Sequence, residues 1–385
     1  MMKLAAQSLF QSYELPSGLK LENRIVMAPM THMSSKADGT VSDAELAYYA
    51  RRSEGPGLII TAATWVLPNG GIPGAPGADD DDKIPGLRRL AAAIRERGAK
   101  AILQLFHAGR QGTRTGDLVA PSAVPEAREG AAVPRALEEH EIAEIVRAFG
   151  EAARRAITAG FDGVEVHGAN GNLTHQFFSP LSNKRQDRYG GTLERRMTFG
   201  LAVVDEVLRI VREHADRPFA VGYRLSPEER DMPGGNSADT PEANEAPGIT
   251  MEDTLAFADV LATRGLDYLH ISLTDFRNPP RRGSWGGKSR MAILQERVGH
   301  LVPLIGVGAV HTAEDAADAM ESGIPLLALG RELLMEPDWA GKVRDGLSSE
   351  IRTTLSTSDR ERLSIPEPMW RLLLSIPGWS PFEDK

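Results

Sequence analysis

Residues 160–171 read Gly160-Phe161-Asp162-Gly163-Val164-Glu165-Val166-His167-Gly168-Ala169-Asn170-Gly171. Gly160 stops a helical pattern in which Ile142, Ile145, Val146, Phe149, Ala153, Ala156 and Ile157 share one face. Gly163–Val166 then reads as a short strand, and His167 and Asn170 follow directly at its C-terminal end. Helix, strand and polar residues at the strand end form one unit of an α/β protein whose chemistry sits at the strand ends.

Similar apolar stretches rich in Val, Ile and Leu recur at residues 24–28, 58–63, 101–105, 219–225, 268–272, 303–307 and 326–329. Most are too apolar throughout for a half-exposed sheet and suit parallel strands covered by helices. Helical spacing lies between them. Leu87, Leu90 and Ile94 follow Pro85, while Thr312 and Asp315 open a further helix that Gly323 ends. Each parallel strand needs a crossover helix, and eight units close without leaving an edge. The expected fold is a single (β/α)8 TIM barrel over residues 1–385, with residues 345–385 as a C-terminal extension packed on it. An open doubly wound sheet is the alternative.

The long polar or Gly/Pro-rich stretches 70–83, 109–135 and 227–248 follow strands two, three and five, where active-site loops belong. Asp79–Asp82 reads as a solvated loop, because contiguous carboxylates cannot all converge on one ion. Trp370, Arg371 and Trp379 either pack on their own barrel or meet a neighbouring subunit of a homo-oligomer.

Composition narrows the function. With 41% hydrophobic and 25% charged residues the chain can bury a sizeable core. A net charge of −9 disfavours sequence-independent binding to nucleic acid or to anionic membranes. The absence of cysteine excludes disulfides, thiolate nucleophiles and cysteine-ligated iron–sulfur clusters within this chain. The first residues lack an export signal and no apolar run is long enough to span a bilayer, so the expectation is a cytoplasmic protein.

Polar groups out of keeping with a core stand at six strand ends: Thr31, Gln104, His167 with Asn170, Arg224, Gly308, and Gly330 with Arg331. Taken singly, each also fits a buried polar group satisfied by backbone. Together they outline a site. The turns Ile305-Gly306-Val307-Gly308 and Leu329-Gly330-Arg331 suit a barrel phosphate site, with Arg331 adding a bidentate contact. Other chemistries lack support. His311 stands where the third glycine of a dinucleotide fingerprint belongs, His140-Glu141 is followed by Glu144 rather than a second histidine, and no Gly-x-Ser-x-Gly elbow follows a strand. No metal site is expected.

At these residues the sequence resembles the old yellow enzyme family. The likeness runs from Leu21-Glu22-Asn23-Arg24-Ile25-Val26-Met27-Ala28-Pro29-Met30-Thr31, through Gln104, Phe106-His107-Ala108-Gly109-Arg110 and Ala120-Pro121-Ser122-Ala123-Val124-Pro125, to residues 160–171. It continues in Gln176-Phe177-Phe178-Ser179-Pro180, Ser182-Asn183, Arg185, Asp187 and Tyr189-Gly190-Gly191, where Arg185, Asp187 and Tyr189 read as braces without chemistry.

The resemblance implies bound FMN at the barrel mouth and NADH or NADPH as co-substrate. Pro29, Met30 and Thr31 would line the flavin, Ala62 would pack beside it, Gln104 would bond its pyrimidine edge, and Arg224 would stabilise negative charge near N1. Gly308, Gly330 and Arg331 would hold the phosphate. His167 and Asn170 would point two donors at an acceptor oxygen where charge builds during hydride addition. The implied reaction is ping-pong reduction of a small-molecule activated alkene or quinone. The alternatives are a flavin-dependent RNA-modifying barrel, against which the acidic balance counts, and a flavin-binding sensor or interaction module. One departure stands out: many members carry a proton-donating Tyr two residues after the His/Asn pair, whereas this chain has Asn172.

Overall fold

The computed structural model describes residues 7–229, 248–376 and 379–383; most of the stretch after the fifth strand, residues 230–247, lies outside the described residues. Eight parallel strands form the centre: β1 (Ile25–Met27), β2 (Leu58–Ile60), β3 (Lys100–Phe106), β4 (Gly163–Gly168), β5 (Ala220–Leu225), β6 (Tyr268–Ile271), β7 (Leu304–Val307) and β8 (Leu326–Leu329). Each pairs with its sequence neighbour, and β8 pairs with β1. That last pairing closes the barrel and removes the open-sheet alternative.

Helices fill the crossovers: α1 (Asp43–Ala50), α2 (Ile84–Arg95), α3 (Glu139–Ala159), the short α4 (Leu173–Phe178), α5 (Leu193–His214), α6 (Met251–Ala262), α7 (Arg290–Val298) and α8 (Ala313–Glu321), with α9 (Arg331–Met335) after β8. Their ends follow local chemistry. Gly160 closes α3 at φ 88, in the left-handed region, and Thr312 with Asp315 forms a reciprocal capping box at α8. The α3 face carrying Ile142, Ile145, Phe149, Ala153 and Ala156 is buried, while Val146 and Ile157 lie at its margin.

Inside the barrel, side chains at every second strand position stack in layers, because successive strand residues face opposite ways. The lower layers are apolar: Val26, Leu58, Ile60, Ile102, Ala220, Ile305, Leu326 and Ala328. Leu15, Leu19 and Leu21, carried by the antiparallel pair Tyr13–Glu14 and Lys20–Leu21, join this cluster and plug the floor. Each fully buried Leu or Ile contributes roughly 1.5–3 kcal/mol of transfer free energy. Gly222 leaves room for the Tyr268 ring, since a Cβ there would lie 2.1 Å from Tyr268 Cζ. Above Tyr268 the same inward rows turn polar.

The loops at the mouth are braced. Arg185 donates to the carbonyls of Pro121 and Leu137 and pairs with Asp187, whose carboxylate accepts from the Tyr189 N–H. In the acidic run, Asp80 caps a short turn and Asp81 pairs with Arg154 and Arg155 of α3. The C-terminal residues pack on the barrel: Arg52, fully buried, donates to Leu363 O, and Trp370 is buried edge-on to Phe382. Among the described residues no helix is long and apolar enough to cross a membrane.

Candidate functional site

The rows that fill the barrel continue to its C-terminal mouth. Counting in twos places Gln104 above Ile102, Glu165 and His167 above Gly163, Arg224 and Ser226 above Gly222, and His270 and Ser272 above Tyr268. Glu165 Oε1 accepts from Gln104 Nε2 at 2.6 Å, and Glu165 Oε2 lies 3.0 Å from His270 Nδ1. Burial pulls the His270 imidazole below its ordinary value against the attraction of Glu165, so its single proton lies on Nδ1, toward the carboxylate. Arg224 is 8% exposed and its Nε has no hydrogen-bond partner among the described residues. Burial lowers the guanidinium's pKa, and Glu165 opposes that shift.

His167 and Asn170 sit at the end of β4, and the backbone settles which atoms they present. The Ala169 N–H donates to His167 Nδ1 at 3.4 Å. A nitrogen that accepts carries no proton in a neutral ring, so the imidazole proton is on Nε2. The ring is neutral because burial first, and then the charges of Arg224, His270 and His175, hold its pKa well below the usual 6.5. At Asn170, the backbone N–H donates to Ser226 Oγ at 3.1 Å, which turns the Ser226 hydroxyl proton toward Asn170 Oδ1 at 3.4 Å. Ser272 Oγ lies 3.1 Å from the same oxygen. The amide oxygen is thereby committed to two hydroxyls and Nδ2 remains as a donor. Asn170 has φ 56, a conformation that asparagine tolerates better than most residues.

The remaining predicted residues surround this mouth. Pro29, Met30 and Thr31 are half-buried beyond β1, and Ala62 is buried beyond β2 with its N–H donated to Tyr49 Oη at 2.6 Å, leaving only its surface for packing. After β7, Gly308 has φ 118 and a Cβ there would lie 2.7 Å from Leu273 O, so no side chain fits. The N–H groups of Gly308 and Ala309 find no acceptor among the described residues. After β8, the Gly330 N–H is engaged by Glu332 Oε2 at 3.2 Å, and Arg331 Nη1 donates to Trp379 O, tying the C-terminal residues to this side of the mouth. Glu332 in turn faces His311 Nδ1 at 2.9 Å and raises its pKa.

Asn172, buried at the start of α4, donates Nδ2 to Ala169 O at 3.2 Å. It braces the loop and carries no acid. Sequence reading passed over Glu165, Ser226, His270 and Ser272, yet strand parity marks all four, because each stands two residues from a singled-out or inward-facing position. A separate cleft of about 450 Å³, lined by Asn23, Gly55, Arg97 and Asp338, opens beside the N-terminal ends of β1 to β3, away from this constellation.

These groups fit FMN. An unpaired buried guanidinium nitrogen suits an acceptor edge that gains negative charge, and two unpaired N–H groups beside a glycine without room for a side chain suit a phosphate. The comparisons agree. The profile of the NADH:flavin oxidoreductase / NADH oxidase family matches residues 8–350. The chain is 48% identical to the probable NADH-dependent flavin oxidoreductase YqiG of Bacillus subtilis (strain 168), covering 98% of both chains. It is 40% identical to the NADH:fumarate oxidoreductase of Klebsiella pneumoniae (strain 342), with 96% of this chain matched but only 39% of that longer protein. Morphinone reductase in complex with tetrahydroNAD superposes with a TM-score of 0.71 at 32% identity, covering 88% of this chain and 91% of that one. The chain therefore belongs to the NADH:flavin oxidoreductase / NADH oxidase family of old yellow enzymes, and is an FMN-dependent NAD(P)H oxidoreductase.

Proposed function

We propose that the acceptor is a small molecule with an oxygen conjugated to the bond being reduced, an activated alkene or a quinone, bound in the pocket that also takes the nicotinamide. Bound FMN supplies the redox chemistry, taking electrons from NAD(P)H and giving them to the acceptor in alternation. His167 and Asn170 do the binding and polarising. The observation that carries this reading is the backbone-fixed pair of donors, His167 Nε2–H and Asn170 Nδ2–H, on a neutral ring and a locked amide. Such donors strengthen as an acceptor oxygen gains charge, without reorganising.

Arg224 and Gln104 would hold the pyrimidine end of the flavin, Pro29, Met30, Thr31 and Ala62 would line its rings, and Gly308, Gly330 and Arg331 would stand at its phosphate. The Gly330 N–H becomes available only when it leaves Glu332.

Replacing both His167 and Asn170 by Ala tests the proposal. Phenolic ligands should lose their charge-transfer band and enone reduction should slow by about a thousandfold or more, at roughly 2–4 kcal/mol for each of the two donors, while FMN stays bound. Unchanged phenol affinity would remove both residues from the acceptor site.

A further inference from the structure

Glu165 is 0% exposed inside the barrel, one layer below His167, and among the described residues its hydrogen bonds run to Gln104 and His270 rather than to the acceptor donors or the phosphate groups described above. Burying a carboxylate costs several kcal/mol, and the layers beneath it are filled by aliphatic side chains and the ring of Tyr268, so packing alone does not call for a charge at this level. Both of its oxygens are engaged, one by Gln104 Nε2 at 2.6 Å and one by His270 Nδ1 at 3.0 Å. Two consequences follow for the groups above it.

The first concerns polarity. An amide nitrogen only donates and a carboxylate only accepts, so the contact turns Gln104 Nε2 toward Glu165 and leaves Oε1 as the atom free for the mouth. An acceptor there matches an imide N–H on the pyrimidine edge of an isoalloxazine. The second concerns charge. Arg224 lies in register with His167 on β4 and His270 on β6, its Nε is unpaired, and no carboxylate forms an ion pair with it among the described residues. Glu165 therefore tempers the guanidinium from the layer below without neutralising it.

We propose that Glu165 is a positioning residue for the cofactor, which fixes the hydrogen-bonding polarity of Gln104 and limits how strongly Arg224 stabilises reduced flavin. The inference rests on FMN binding at the mouth and is independent of which acceptor is reduced. It gives Glu165 and Arg224 opposite effects on the flavin potential, which a packing role would not produce.

The test is redox titration of the FMN-loaded protein against a reference dye, together with FMN titration of the apoprotein. Glu165→Gln, nearly isosteric, removes the counter-charge and should shift the two-electron equilibrium toward reduced flavin about tenfold, equivalent to about 30 mV. Glu165→Asp keeps the charge but withdraws it by one methylene. It should hold the equilibrium within about threefold of the parent while weakening FMN binding at least threefold, as the Gln104 amide loses its anchor. An unchanged or lowered potential in fully loaded Glu165→Gln overturns the proposal. Should Glu165→Gln fail to hold FMN, Glu165→Asp decides alone: a tenfold change in its redox equilibrium, or unaltered FMN affinity, overturns it equally.

Discussion

Asn170→Asp isolates a single atom. The substitution exchanges the Nδ2 amino group for an oxygen and leaves Oδ1, which lies 3.4 Å from Ser226 Oγ and 3.1 Å from Ser272 Oγ, free to accept both hydroxyls as before. Aspartate also tolerates the left-handed backbone at φ 56, and the N–H bond to Ser226 is untouched. The fold should therefore lose little. The site, however, loses one of its two donors and places a carboxylate oxygen against the acceptor oxygen. Loss of one such donor is worth about 2.7–4 kcal/mol, a factor of about 10² to 10³. Stopped-flow reoxidation of the reduced enzyme by a quinone or enone measures it, with reduction by NADH as the control. Protonating the new carboxyl restores an O–H donor, so the rate should recover as pH falls toward that group's pKa, whereas the parent, with a neutral His167 throughout, should not show this limb. A loss of less than tenfold at pH 8, or no recovery on acidification, would refute the donor assignment.

Arg224→Ala should weaken FMN binding and lower the flavin potential by removing a buried cation from the inner polar rows; an unchanged potential in the loaded variant would show that the guanidinium points elsewhere. Asn172→Tyr should accelerate enone reoxidation and leave reduction by nicotinamide nearly unchanged, because it supplies the titratable proton the amide lacks; identical enone turnover and pH dependence would mean another donor already serves. Acid should destabilise the apoprotein early. Burial holds His107 at about 3, His167 well below 6.5 and His270 below it as well. The unfolded chain therefore binds these protons near pH 6.5 while the native state does not. Stability is full above that pH and falls as pH drops, by up to about 1.4 kcal/mol per unit for each histidine, until the native values are reached. Denaturant midpoints that stay flat between pH 7 and 5 would contradict this.

The barrel was legible because its strands and helices are local patterns. All eight apolar stretches became β1 to β8, Gly160 and Thr312 act where the helix signals put them, and the polar residues Gln104, His167 and Arg224 stand on inward rows at the C-terminal ends. Strand parity carries that information, since facing alternates with period two whatever the partner strand. Parity also pointed to Glu165, Ser226, His270 and Ser272, which were passed over because a buried acid or a lone serine reads as ordinary polar filling until its neighbours are known.

From the sequence alone came the kind of fold, the family with its cofactor, and the strand-end face on which the singled-out polar residues gather. Only the tertiary structure decided how the polar atoms are oriented. Asn170 and Ser272 are 102 positions apart, Glu165 and His270 are 105 apart, and Arg331 meets Trp379 across 48. Such contacts depend on barrel closure and strand register, which no local period encodes. Donor direction is set in turn by which neighbour can only donate or only accept. That is why the proton on His167, the turned amides of Asn170 and Gln104, and the occupied Gly330 N–H emerge only once the strands are side by side.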